Sequence, residues 1–254
     1  QTVVARAKLK SYCPLLCLAI VDMDKPPILL LHAALGAKDQ LAPLANQFAD
    51  AFTVLTMDFD GHGERAAAGE ELRYETMAAD AVALLDEHGL NNVPVFGHSM
   101  GGYVGLFLCV HFPERVRALH TLGTFFEWGP ESAGRMLTEL NADVIAEKVP
   151  NYAAALEARH TGIGWRAVIE RTVDMIERTG AAPPLTLEQL AEVRQPVRVG
   201  VGDRDHLTSV DACMKLSRAL PNGEMIVFPR AGHPIERTPL DMLGYSIRDF
   251  VKAV

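Results

Sequence analysis

Apolar residues along this chain come in short unbroken runs. Residues 29–31, 54–57, 93–96, 116–119, 197–201 and 225–228 have strand length, and most of these runs are continuous rather than alternating. Runs of that kind predict strands covered on both faces. Between them the period changes to that of a helix. Met77, Ala81, Leu84 and Leu85 recur at helical spacing, with Gly89 placed as a stop. Leu240, Leu243, Ile247, Phe250 and Val254 form an apolar stripe on a last helix. Strands alternating with helices predict a parallel sheet with helices on both faces. The beginning of the chain reads differently: residues 3–10 and 15–21 have no helix between them and predict an antiparallel hairpin at one edge.

The rhythm breaks from Pro130 to about Gln195. This stretch holds no good strand but several helical patterns, among them Trp165, Val168, Ile169, Val173 and Ile176. The tetrapeptide "TLEQ", Thr186 to Gln189, has the form of a capping box that opens the last of these helices. The expected organisation is therefore a core of residues 1–129 and 196–254, with residues 130–195 as a helical cap over the carboxyl edge of the sheet.

Composition narrows the function classes without naming one. The chain has 254 residues, enough to bury a substantial core, and 49% of them are hydrophobic, as in an ordinary globular protein. A net charge of −8 argues against nucleic acid, whose phosphates it would repel. The longest apolar runs, such as "PPILLL", are of strand length and far below the ~18 residues of a membrane span. The first ten residues do not have the form of a signal peptide, although a chain opening on Gln1 is compatible with trimming. Cys13 and Cys17 on one strand would lie ~13 Å apart, too far for a disulfide. Cys109 and Cys213 lie in apolar helical runs. Four reduced, mostly buried cysteines fit a cytoplasmic protein.

Candidate chemistry gathers at the carboxyl ends of the strands, where open α/β sheets hold their ligands. "HAALG" follows the first run and "DFDGHGER" the second; "GHSMGG", "VGDRDHLTS" and "PRAGHPIE" follow later ones. A serine, then an acid, then a histidine is the order of a Ser–Asp–His hydrolase on such a sheet. Ser99 sits where a strand turns sharply into a helix, between Gly97 and Gly101, which remove Cβ atoms that would clash across the turn. Met100 N–H then lies at a helix start, where unpaired donors favour an oxyanion, and a second donor is expected from Ala34. Ser99 needs His233 as base, and His233 needs a carboxylate to orient it. Asp205 is the choice, against Asp203, which directly follows Gly202, and Glu127, which stands between Phe126 and Trp128.

On these motifs the chain resembles the α/β-hydrolase superfamily, in particular its capped esterase- and lipase-like members with a "GHSMGG" elbow. The resemblance runs from Leu29 to the last helix. It implies an α/β-hydrolase fold with a mostly parallel eight-stranded sheet, helices on both faces and a helical cap insertion. It implies Ser99 as nucleophile, Asp205 of "GDRD" as acid, His233 of "AGH" as base, and the Met100 and Ala34 amides as oxyanion hole. The "DFDGHG" segment matches the D-x-x-G-H-G loop of that superfamily. One departure stands out: Ala33 occupies a position where relatives usually have glycine.

Other readings stay beside this one. Asp58, Asp60, His62 and Glu64 could be metal ligands, but a glycine-rich loop after a strand accounts for them without a metal. His32 is expected to support the oxyanion loop, His98 to pack beside the elbow with its side chain turned from that of Ser99, and His206 to be a plain loop residue. Phe125, Phe126, Trp128 and Trp165 are candidates for the substrate pocket, or equally for core. The expected activity is hydrolysis of small to medium carboxylic esters through an acyl-enzyme, without cofactor or metal. An uncharged, fairly hydrophobic small molecule is the expected partner. The rivals are a lactone, a thioester or the carbon–carbon bond of a β-diketone on the same scaffold, or a slow-turnover ligand receptor.

Overall fold

The computed structural model describes residues 25–254, so the expected hairpin, Cys13 and Cys17 lie outside the described residues. Six strands form one sheet: β1 (Pro27–Leu31), β2 (Thr53–Thr56), β3 (Val93–His98), β4 (Val116–Leu122), β5 (Val197–Gly202) and β6 (Gly223–Phe228). Their order is β2-β1-β3-β4-β5-β6 and every pairing is parallel. Among the described residues the sheet therefore has six strands, not the eight expected. The six apolar runs each form a strand.

Strand alternation divides the core in two. In β1, Leu29 and Leu31 face a cluster built with α2 (Tyr74–Glu87), α3 (Met100–His111) and α9 (Val210–Ala219). Ile28 and Leu30 face the opposite cluster, built with α1 (Ala42–Phe48) and α10 (Leu240–Ala253). Burial on both faces is the physical reason for unbroken apolar runs. α2 ends as its sequence predicts: Gly89 has a φ of 65°, its N–H reaches Asp86 O, and Leu90 N–H reaches Leu85 O, a Schellman pattern.

Between β4 and β5 lie α4 (Pro130–Leu137), α5 (Ala142–Lys148), α6 (Pro150–Arg159), α7 (Trp165–Ala181) and α8 (Leu187–Leu190). The box that opens α8 is formed, with Gln189 N donating to Thr186 Oγ1 at 3.3 Å and Thr186 N to Gln189 Oε1 at 2.8 Å. Ile145, Leu156, Trp165, Val168 and Ile169 make a third apolar cluster, and Leu35 from the loop after β1 belongs to it. A buried ion pair adds a polar attachment: Arg171 of α7 meets Asp60 at 2.7 Å. Among the described residues no helix is long and apolar enough to cross a membrane. The thiols of Cys109 and Cys213 are buried and free, and burial pushes both up to about 12.

Five histidines are buried in this fold: His32, His62, His98, His120 and His160. Each gives a ring N–H to a backbone carbonyl, namely Ala33, Asp60, His233, Thr121 and Leu35 respectively. Burial pushes His32, His62 and His120 down to about 3, His98 down to about 4, and His160 below the ordinary range. The folded protein thus keeps these rings neutral where the unfolded chain protonates them near pH ~6.5. Stability is full above that pH and is lost as pH falls, each ring adding up to about 1.4 kcal/mol per pH unit. Urea unfolding at pH 8, 6 and 5 is expected to show a steep loss below pH 6.5. A midpoint unchanged between pH 8 and pH 5 would contradict it.

Candidate active site

The sheet register brings the candidate loops to one edge. Leu31 pairs with Gly97, His98 with Leu122, and Gly202 with Phe228, so the segments beginning at His32, Ser99, Gly123, Asp203 and Pro229 emerge side by side. Ser99 is the residue before α3 and has a φ of 51° and a ψ of −113°, a conformation a non-glycine residue avoids. It is held there from both sides. Its N–H donates to Leu122 O at 2.8 Å, while its carbonyl accepts from Gly102 N at 3.0 Å, Tyr103 N at 3.1 Å and Thr124 Oγ1 at 3.2 Å.

The glycines beside Ser99 are places of close approach. A Cβ on Gly97 would fall onto the backbone of Gly101 and Gly102, one on Gly101 onto the carbonyls of Leu31 and His32, and one on Gly102 onto Thr124 Oγ1. The first turn of α3 therefore lies directly against the ends of β1 and β3. Met100 is the first helical residue, so α3 offers no carbonyl to its N–H.

His233 joins the serine to the acid. Its Nε2 lies 3.0 Å from Ser99 Oγ, and its Nδ1 lies 2.9 and 3.1 Å from the two carboxylate oxygens of Asp205. With Asp205 acceptor-only, Nδ1–H donates and Nε2 is left to accept the Ser99 hydroxyl. The Asp205 side chain is only 1% exposed. Burial alone would raise its pKa. The His233 hydrogen bond and charge, with the amides of Thr208 and Leu207 at 2.9 Å, outweigh burial and hold the carboxyl below its usual value.

The other acids are engaged elsewhere. Asp203 is exposed and accepts from Ala231 N at 3.2 Å, while Glu127 pairs with Lys215 at 2.8 Å. His206 is exposed and faces Glu139 at 3.3 Å. His98 turns its Nε2–H to the carbonyl of His233 at 2.9 Å, and its buried Nδ1 has no partner.

The loop after β1 makes a turn closed by Gly36 N to Ala33 O at 3.0 Å. The positive φ falls on Leu35, at 56°, and not on Ala33, so an alanine fits at position 33. Ala34, in the middle of this turn, is half-buried against the main core and stands two residues after His32, whose carbonyl the first turn of α3 approaches at Gly101. His32 supports the loop from beneath: Phe59 N–H donates to its Nε2 at 3.0 Å, and its Nδ1–H reaches Ala33 O at 2.8 Å.

The four polar residues of the "DFDGHGE" loop are engaged by protein groups, with Asp58 and Glu64 sharing Lys38. Asp58 accepts from Lys38 N at 2.7 Å, Asp60 meets Arg171, and Glu64 lies 3.7 Å from Lys38 Nζ. His62 donates to Asp60 O at 3.1 Å. Of the aromatic candidates, Phe126 and Trp128 lean on the main core beside Tyr103, with centroids 6.0 and 6.3 Å away. Phe125 sits edge-on to Trp128 at 5.1 Å, and Trp165 belongs to the cluster that contains Leu35.

A family model described as the alpha/beta hydrolase fold matches residues 26–164, more than half of the chain. The chain belongs to the α/β-hydrolase family. An uncharacterized hydrolase of Bacillus subtilis, YraK, is 40% identical over 98 residues, which are 37% of this chain and 35% of that protein. Each of the first curated relatives is matched over about a third of its own length. A protein of Agrobacterium fabrum, provisionally named a carbamate hydrolase, RutD, is 23% identical over 91% of this chain and 94% of its own. Two solved structures share the fold. The esterase of Thermogutta terrifontis has a TM-score of 0.73 at 21% identity, covering 90% of each chain. The enol-lactonase of Burkholderia xenovorans has a TM-score of 0.71 at 21% identity, covering 90% of this chain and 92% of its own.

Three residues of this α/β-hydrolase site had no signal in the motifs: Leu35, His160 and Gly123. Gly123, just past β4, has a φ of 61°, and a Cβ there would stand 3.0 Å from Asp205 Oδ2 and 3.3 Å from the His233 ring. A glycine at a strand's carboxyl end was the only available hint. Gly123→Ala is expected to lose about 1–2 kcal/mol in urea unfolding. It should also slow labelling of Ser99 by a fluorophosphonate, because the methyl group presses on the Asp205–His233 pair. Labelling at the parent's rate would show that this pair keeps its place.

Proposed function

We propose that this α/β-hydrolase cleaves small to medium carboxylic esters through an acyl-enzyme on Ser99. The observation that carries the reading is the single hydrogen-bonded line from Ser99 Oγ through His233 to the buried Asp205 carboxylate. Ser99 Oγ attacks the acyl carbon while His233 Nε2 takes its proton. Asp205 keeps the proton on Nδ1 and stabilises the imidazolium. The amides of Met100 and Ala34 donate to the oxygen that becomes negative. The intermediate collapses as the imidazolium returns the proton to the leaving alcohol. Water, activated by the same imidazole, then frees the acid and restores Ser99.

Residues 130–195 act as a cap, and their apolar cluster around Trp165 favours an uncharged acyl group. The names of the relatives cover esters, a lactone and a carbamate, all of which present an acyl carbonyl to a nucleophile. A side-by-side assay of an ester, a lactone and a carbamate therefore belongs in the first test.

Ser99→Ala is expected to abolish turnover and fluorophosphonate labelling while leaving the fold intact. Asp205→Asn should lower kcat by on the order of 10³–10⁴, and Asp203→Asn and Glu127→Gln by far less. Full activity without Ser99, or a crippling effect confined to Asp203 or Glu127, would reject the assignment.

The pocket reading has its own check. Trp165→Ala and Phe125→Ala should shift KM and acyl-chain preference more than the labelling rate of Ser99. An unchanged chain-length profile in both would place these rings in the core alone.

A further inference from the structure

His160 is the first residue beyond α6 and is only 1% exposed. Both of its ring nitrogens serve loops that arise from the sheet. Gly63 N–H donates to Nδ1 at 3.0 Å, which leaves the proton on Nε2, and Nε2–H donates to Leu35 O at 3.0 Å. The neighbouring backbone is seated just as closely. Gly162 N–H reaches Gly63 O at 3.1 Å, and a Cβ on Gly162 would press on Arg65 O at 2.5 Å.

The carbonyl that His160 holds belongs to a strained residue. Leu35 has a φ of 56° in the turn Ala33–Gly36, at the third position, which such turns reserve for glycine. A leucine stays in that conformation only where its surroundings over-determine it. Apolar packing against Trp165, Leu156 and Ile145 supplies one restraint. Hydrogen bonding to the carbonyl supplies the other. His160 gives it the short bond, while Arg159 Nη1 stands 3.4 Å away and its Nε faces Asp39 at 3.3 Å.

We propose that His160 is a positioning residue for the oxyanion hole: by holding Leu35 in its left-handed conformation it aims the amide of Ala34 at the oxygen of the attacked carbonyl. This rests on the reading of Ala34 as a hole donor. Ala34 and Leu35 share a peptide bond, so a relaxation of φ at Leu35 re-orients the backbone on which the Ala34 N–H is carried. One buried hydrogen bond is comparable in size to the strain it opposes. Loss of that bond alone is then enough to let the turn relax.

The test compares an oxo ester with its thiono analogue, whose sulfur is a weak acceptor and gains little from the hole. The parent is expected to turn over the oxo ester on the order of 10²-fold faster or more. His160→Asn keeps an acceptor for Gly63 N–H but is too short to reach Leu35. It should contract the oxo-to-thiono ratio about tenfold, less than the ~10²–10³ of deleting a hole donor, through kcat of the oxo ester and with KM held. His160→Gln places an amide N–H where Nε2 stood and should keep the ratio within about twofold. Both rates are read on one preparation, so partial unfolding lowers them equally and leaves the ratio alone. In Leu35→Gly/His160→Asn, where glycine takes the positive φ without strain, the parent ratio should return.

A parent ratio retained in His160→Asn overturns the inference, as does a contraction in His160→Gln equal to that in His160→Asn. Turnover that survives Ser99→Ala, or no turnover of either ester by the parent, brings down the reading of the site itself and the inference with it.

Discussion

The backbone of α3 meets the ends of β1 and β3 with no side chain between them, and the geometry around Ser99 depends on that contact. Gly97, Gly101 and Gly102 lie where a Cβ would strike backbone or Thr124. With the helix pressed so close, the chain has room to turn from strand to helix only through the strained conformation of Ser99. That conformation costs on the order of 1–3 kcal/mol. Four hydrogen bonds, from Leu122 on one side and Gly102, Tyr103 and Thr124 on the other, hold it. At about 1 kcal/mol each they offset the strain, and the serine hydroxyl is left projecting toward His233.

Around this turn, buried histidines act as neutral connectors. A protonated ring in these places would be a desolvated cation and would lose its ability to accept. His32 and His160 both accept a backbone N–H and donate to a carbonyl, so each ties two separate segments together. His233 differs from them in one respect: its donor side meets a buried carboxylate, not a carbonyl. In the five buried rings the cost of desolvating a cation outweighs the pull of the accepting carbonyl and keeps them neutral.

Much of this was legible in the sequence. Unbroken apolar runs give the six strands because both faces of the sheet are covered. Order and spacing single out Ser99, Asp205 and His233, the residues the structure hydrogen-bonds in one line. Asp205 stands apart from Asp203 through three-dimensional partners, since two loop amides and His233 converge on it while Asp203 turns to Ala231. Other features had no sequence signature. A leucine at positive φ contradicts local preference, so Leu35 was invisible. His160 belongs to no motif, and its two partners are 125 and 97 residues away along the chain. The hairpin expected in residues 3–10 and 15–21 falls outside the described residues.

The way the helical segment is attached bears on how it shares the work of the site. Its contacts with the loops after β1 and β2 are of two kinds: an apolar cluster that includes Leu35, and polar links through His160 and through Arg171 to Asp60. Apolar contacts tolerate sliding, because dispersion and burial depend weakly on direction. Buried hydrogen bonds and a desolvated ion pair do not, because a displaced donor leaves an unsatisfied group that costs more than the bond contributes. The helices around Trp165 are therefore free to adjust only where they are apolar. Where they touch Leu35 O, Gly63 N and Asp60 they move with the loops or not at all. On the proposed reading, substrate fit and oxyanion geometry would meet in the same few residues, so a change at Trp165 that leaves His160 undisturbed would separate the two.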